Sequence, residues 1–203
     1  MSGGKTRWTG LLAVVLLFLV LPSTAHAHLT VEGAGEIVSG ALHPLMTPAH
    51  VLIILGLGLL LGQQVPLDLK MPMAVLACVS AAALALTATG RITGVYQPML
   101  VVIALCPALL VALEKKPPRG VMAALCAAAA AGVGLDSGIE NASAVVVVKS
   151  LLGTWISLNV VAGYLAICVS NSDGRPWARV GIRVLGSWII AIVFLVLAFS
   201  LRK

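Results

Sequence analysis

Residues 40–62 read GALHPLMTPAHVLIILGLGLLLG, and no acid, lysine or arginine interrupts them. A helix needs about 20 mostly apolar residues to cross the hydrocarbon of a bilayer, so this stretch has the length and character of a membrane span. Five further apolar stretches follow, at about 71–90, 96–113, 120–136, 150–170 and 180–201. Of the 203 residues, 60% are apolar and only 10% charged, where a soluble domain carries roughly 25% charged residues. So few charges cannot give a compact body a wettable surface, and the solvent around most of this chain must be lipid. In hydrocarbon every backbone N–H and C=O needs an internal partner, which leaves helices or a closed barrel. Barrel strands alternate apolar and polar residues; these stretches are continuous. The expected fold class is all-α, a polytopic transmembrane helix bundle of six spans.

The first 27 residues have the three parts of a secretory signal. Lys5 and Arg7 are the basic region, Leu11 to Leu21 the apolar core, and Pro22 precedes Ala25-His26-Ala27, a small-x-small cleavage site. The expected organisation is a signal peptide over 1–27 and one six-helix domain over 28–203. Cleavage would make His28 the new N-terminus, whose α-amine and imidazole can chelate one ion; an ordinary cleavage site that happens to contain histidines is the alternative.

The net charge of +6 does not point to nucleic acid, because the basic residues cluster at the ends of apolar stretches, where topology explains them. Alternate connections hold Lys70, Lys115, Lys116, Arg119, Arg175, Arg179 and Arg183. The others hold Arg91, Lys149, Arg202 and Lys203, with Glu32, Glu36, Asp136 and Glu140. The positive-inside rule then places both termini outside a bacterial-type inner (plasma) membrane. Cys78, Cys106, Cys126 and Cys168 fall in four different spans, with no paired motif.

Polar groups inside spans are costly and mark function by default. His43 and His50 stand seven positions apart, which on an unbroken helix separates them by about 10 Å along the axis. Pro44 and Pro48 each remove a backbone donor and disfavour helix in the preceding residue. The expectation is an irregular lead-in over His43–Pro48, with regular helix from about Ala49, that draws the two imidazoles together. Neutral imidazole suits nickel, zinc or copper. Two readings stand here: a metal pair, or an interfacial His43 with a hydrogen-bonded core His50. Asp136 and Glu140 are one helical turn apart and fall on the same outer side as His43, as cation ligands or as an ordinary acidic loop. Thr47 and Pro48, with Thr154 and Asn159 of the fifth span, line a pore or serve helix packing. Ser150, Thr154 and Ser157 form one polar stripe. Gly58 with Gly62, and Gly134 with Gly138, have GxxxG spacing, read as close packing rather than as a dimer motif.

The segment His43-Pro44-Leu45-Met46-Thr47-Pro48-Ala49-His50-Val51-Leu52, followed by Gly56-Leu57-Gly58, resembles the first-span signature of the HupE/UreJ family, hydrogenase- and urease-accessory membrane proteins. The resemblance extends over Gly134-Leu135-Asp136-Ser137, Glu140 and Leu152-Gly153-Thr154-Trp155, and so over nearly the whole mature chain. It implies a nickel or cobalt permease with Ni(2+) or Co(2+) as the transported ion and no permanently bound cofactor. The implied partners are the lipid bilayer and the hydrogenase or urease maturation machinery. One departure matters: the family pattern commonly places an acid directly before the second histidine, where this chain has Ala49. A non-transporting metal-binding or partner-docking protein is therefore the competing expectation. An intramembrane hydrolase using Ser137 and His50 would require the two within hydrogen-bond reach, and a non-enzymatic protein is expected.

Overall fold

The structure, a computed structural model, describes residues 35–90, 95, 97–139, 142–172 and 174–200. The expected signal peptide, His28 and Glu140 lie outside the described residues. Among the described residues seven helices follow one another: α1 (Gly35–Met46), α2 (Pro48–Gly62), α3 (Lys70–Thr87), α4 (Gln97–Ala112), α5 (Arg119–Leu135), α6 (Ala144–Ser170) and α7 (Pro176–Ser200). No strand occurs among the described residues.

Helix α2 is the centre of the bundle. Lipid would accept an apolar face on any side, so its enclosure follows from close glycine contacts and the buried His50 and not from avoidance of water. From Ala49 to Gly62 only Val51 and Leu55 escape full burial. It packs chiefly on α4 and α6, while α1 lies on α6, α3 on α5, and α4 on α7. Glycines set the closeness of these contacts. A Cβ on Gly58 would come within 2.8 Å of Leu165, and one on Gly62 within 2.6 Å of the Ala166 carbonyl. The Gly58–Gly62 spacing thus serves packing within the chain. Gly40 and Gly153 bring α1 and α6 still closer, since a Cβ on either would overlap the backbone of the other helix at Ser150 and Ile37 respectively.

Helix α6 is inside out relative to a helix of a soluble protein. Its stripe Ser150, Thr154 and Ser157 is buried, while Val145, Val148, Leu152, Ile156, Val160, Tyr164 and Ile167 face outward. Lipid outside and helix-to-helix hydrogen bonds inside produce that pattern. Thr154 Oγ1 lies 2.9 Å from the Gly40 carbonyl, and Trp155 Nε1 donates to the Ala77 carbonyl at 3.0 Å.

Six spans were expected. Among the described residues three helices, α3, α6 and α7, are long and apolar enough to cross a membrane by themselves, and α1 with α2 forms a fourth candidate bent by 77°. Helices α4 and α5, of 16 and 17 residues, measure about 24–26 Å at 1.5 Å per residue. That is a little short of the roughly 30 Å hydrocarbon core. The chain is a helical membrane protein.

Charges collect at the bundle's two ends. Arg119 pairs with Asp68 at 3.4 Å, and Arg179 and Arg183 each approach Glu114 at 3.8 Å. Lys116 Nζ donates to the Val65 carbonyl at 3.1 Å. The connections after α2, α4 and α6 therefore meet at one end, as the alternation of basic loops required. Lys149, near the start of α6, pairs with Glu36 at 3.6 Å toward the opposite end.

Candidate metal centre

Local chemistry breaks the first apolar stretch at a single residue. Pro48 disfavours helix at the residue before it, and Thr47 accordingly takes the extended conformation (φ −90°, ψ 111°), with Pro48 opening α2 as its first residue, a position that suits proline. The irregular stretch is shorter than the sequence led one to expect. His43 to Met46 stay helical, because Thr47 N and Thr47 Oγ1 both donate to the His43 carbonyl, at 3.1 and 3.0 Å. All the bending is concentrated at Thr47.

That break folds the last turn of α1 back over the first turn of α2. The ring centres of His43 and His50 come within 5.4 Å, with ring planes at 75°. His43 is half-buried and His50 fully enclosed. A metal ion about 2.1 Å from one nitrogen of each ring, at a tetrahedral angle, would set the ring centres about 5.2 Å apart. The spacing has room for one ion shared by two imidazoles, and it is also that of an edge-to-face ring contact.

Asp136 terminates α5 at its C-cap. Its Oδ2 is 3.0 Å from His50 Nε2, a hydrogen bond joining positions 86 apart in the sequence. Its Oδ1 accepts the backbone N–H of Val95 at 3.1 Å. An acid at a helix C-terminus faces the negative end of the helix dipole, so this carboxylate is held there by its two donors. Thr87 Oγ1 fixes the level of the site by donating to the carbonyl of Gly134 at 3.0 Å. The Nδ1 of His50 is buried and has no hydrogen-bond partner among the described residues.

The sequence puts Asp136 and Glu140 on the same outer side as His43, as cation ligands beside the imidazoles or as an acidic loop. Of these the structure brings Asp136 to His50, because α5 ends level with the first turn of α2. Thr47 and Pro48 make the break, and Thr47 spends its hydroxyl on it. Thr154 and Asn159 sit in helix contacts: Asn159 Nδ2 donates to the Trp155 carbonyl at 2.9 Å and reaches Ser80 Oγ at 3.5 Å. Ser137 Oγ, the nucleophile of the hydrolase reading, donates to the Val133 carbonyl at 2.6 Å. Among the described residues no three of the His, Cys, Asp and Glu side chains are grouped to hold one ion. All four cysteines are free, and three of them lie on the outer surface. Val95 was not singled out from the sequence, since a backbone donor in a connection leaves no mark on composition.

The family model for the HupE / UreJ protein matches residues 15–196, nearly the full chain. The chain belongs to the HupE / UreJ family. Its residues 43–58 are the segment that carried the resemblance, and the break at Thr47 is how this HupE / UreJ chain presents its two histidines. Membership gives it the general character of a nickel- or cobalt-associated accessory membrane protein. No curated protein and no solved structure matches the chain.

Proposed function

We propose that this HupE / UreJ protein is a permease that admits Ni(2+) or Co(2+) through a two-imidazole waypoint formed by His43 and His50. The observation that carries this reading is the 5.4 Å spacing of the two rings across the Thr47 break. His43, half-buried, receives the ion; His50, fully enclosed, takes it inward. Two nitrogens without a full ligand cage suit passage, since an ion must leave as readily as it enters. With both termini outside an inner (plasma) membrane and the basic connections inside, the membrane potential draws the ion inward. At about 2.3 kcal/mol per charge per 100 mV, a divalent ion gains about 4.6 kcal/mol. The delivered metal serves nickel enzymes such as hydrogenase or urease through their maturation machinery, and the chain itself performs no catalysis.

A second reading, a metal-binding accessory protein that does not transport, is favoured by what lies beyond His50. Ile53, Ile54, Leu57, Leu60 and Leu61 are all enclosed, and the next polar side chain after His50 in the sequence is Gln63, just past the end of α2. An apolar helix at the centre of the bundle offers an ion nothing to hold.

Uptake of radiolabelled nickel into cells expressing the chain separates the two. A permease raises uptake above the empty-vector level, and the His43→Ala, His50→Ala double variant returns it to that level. If the purified protein binds nickel but uptake never exceeds the vector level, with the protein confirmed in the membrane, the accessory reading stands and the permease reading falls.

A further inference from the structure

We infer that Asp136 is a positioning residue that locks His50 in the tautomer whose Nδ1 lone pair faces the metal, and that it does not itself bind the ion. This inference rests on the metal reading of the His43–His50 pair. Both carboxylate oxygens of Asp136 are already engaged, one with His50 Nε2 at 3.0 Å and the other with the Val95 N–H at 3.1 Å. A carboxylate held by a backbone donor on one oxygen accepts on the other, so the imidazole hydrogen sits on Nε2. Neutral imidazole carries only one N–H; Nδ1 is then a bare lone pair.

The burial of that nitrogen without a partner is the second observation. The His50 side chain is 0% exposed, and Nδ1 finds no hydrogen-bond partner among the described residues. A buried ring nitrogen without a partner is costly and calls for a reason. An ion bound through Nδ1 supplies one. Metal-bound histidines as a rule donate their other ring N–H to a carboxylate or carbonyl, which fixes the ring and raises its basicity. Asp136 occupies that place with respect to His50. It is only 10% exposed, which strengthens its hold on the imidazole.

The same geometry gives Ala49 a physical reading. An acid at 49 would stand on α2 one residue before His50, about 100° around the helix from it. Here the acid arrives from the end of α5, and Ala49 is enclosed, leaving little room for a carboxylate at that position.

The test uses the full chain in lipid nanodiscs, free of metal, with 15N-labelled histidine rings and a His50→Gln variant to assign the signals. His50 is expected as the Nε2–H tautomer by long-range 15N–1H correlation; finding the proton on Nδ1 overturns the inference, whatever the protein transports. Cobalt(II) binding is then followed by its visible absorption. Asp136→Asn, whose amide oxygen still accepts, should weaken binding about tenfold and Asp136→Leu about a hundredfold, with band positions unchanged in both. Shifted bands in Asp136→Asn would mean a lost ligand and would overturn the positioning role, as would unchanged affinity in Asp136→Leu. If wild-type protein binds neither cobalt nor nickel, the proposed function fails, while the tautomer still decides the Asp136–His50 relationship.

Discussion

The Thr154 hydroxyl replaces a hydrogen bond that Pro44 cannot make. In a regular helix the carbonyl of Gly40 would accept from the N–H of residue 44, but proline has none. Thr154 Oγ1, 2.9 Å away on α6, stands in as donor. The half-helix that carries His43 is thereby fastened to the long helix α6, and Gly40 and Gly153 allow the approach. A non-additive pair of substitutions follows. Thr154→Val should cost about 1–2 kcal/mol of stability, within the range for buried polar contacts between membrane helices. In a Pro44→Ala background the Gly40 carbonyl regains its own donor, and the same Thr154→Val change should cost clearly less. Reversible unfolding of the four proteins in detergent, read as a double-mutant cycle, checks this; equal costs in both backgrounds would contradict it.

Gly40→Ala is expected to be damaging out of proportion to its size. A Cβ there overlaps the Ser150 backbone, which cannot move aside as a flexible side-chain tip could, so α1 must lift. Overpacking of this kind costs about 1–3 kcal/mol. His43 should shift away from His50, and cobalt affinity should fall even in protein that remains folded. Gly174→Ala, where a Cβ meets nothing within 4 Å, is the control and should change neither quantity.

Asn159 should prove to be helix glue and not part of the ion path. Its amide nitrogen donates to Trp155 and reaches Ser80, which joins α6 to α3 at some distance along the chain from either histidine. Asn159→Ala should lower stability by about 0.6–1.7 kcal/mol and leave cobalt binding intact. Normal stability with lost uptake would place Asn159 on the path instead.

The basic end of the bundle should face the cytoplasm. A phosphatase reporter that works only outside the inner membrane should be active when fused after Lys203 and inactive when inserted at Pro117, between α4 and α5. The reverse pattern would contradict the proposed orientation. The ion pairs there, Glu114 with Arg179 and Arg183, are half-exposed, and such pairs are worth about 0–1 kcal/mol. Glu114→Gln should accordingly leave stability almost unchanged.

The helices were legible because apolar stretches bounded by prolines and charges have few alternatives in lipid; the expected 150–170 and 180–201 appear as Ala144–Ser170 and Pro176–Ser200. The approach of His43 to His50 was legible too, because two prolines within five residues weaken a helix wherever it lies. The position of the break was less so. Pro44 remains inside α1 because a donor on another helix serves the carbonyl it strands, and nothing local in the sequence announces Thr154 as that donor. That Asp136 belongs with the imidazoles was raised from the sequence, but its bond to His50 in particular was not legible: positions 86 apart meet only through the stacking of α5 against its neighbours. One hint was present. An acid at the C-terminal end of an apolar helix opposes the helix dipole, and such a residue needs donors from elsewhere in the fold.

In the proposed permease His43 and His50 form one shared site for the moving ion. Radiolabelled nickel uptake by the His43→Ala, His50→Ala and double variants, at matched membrane levels, tests it most directly. A shared site predicts that each single variant loses as much uptake as the double, down to the vector level. Substantial uptake by either single variant, with a further drop only in the double, would contradict it.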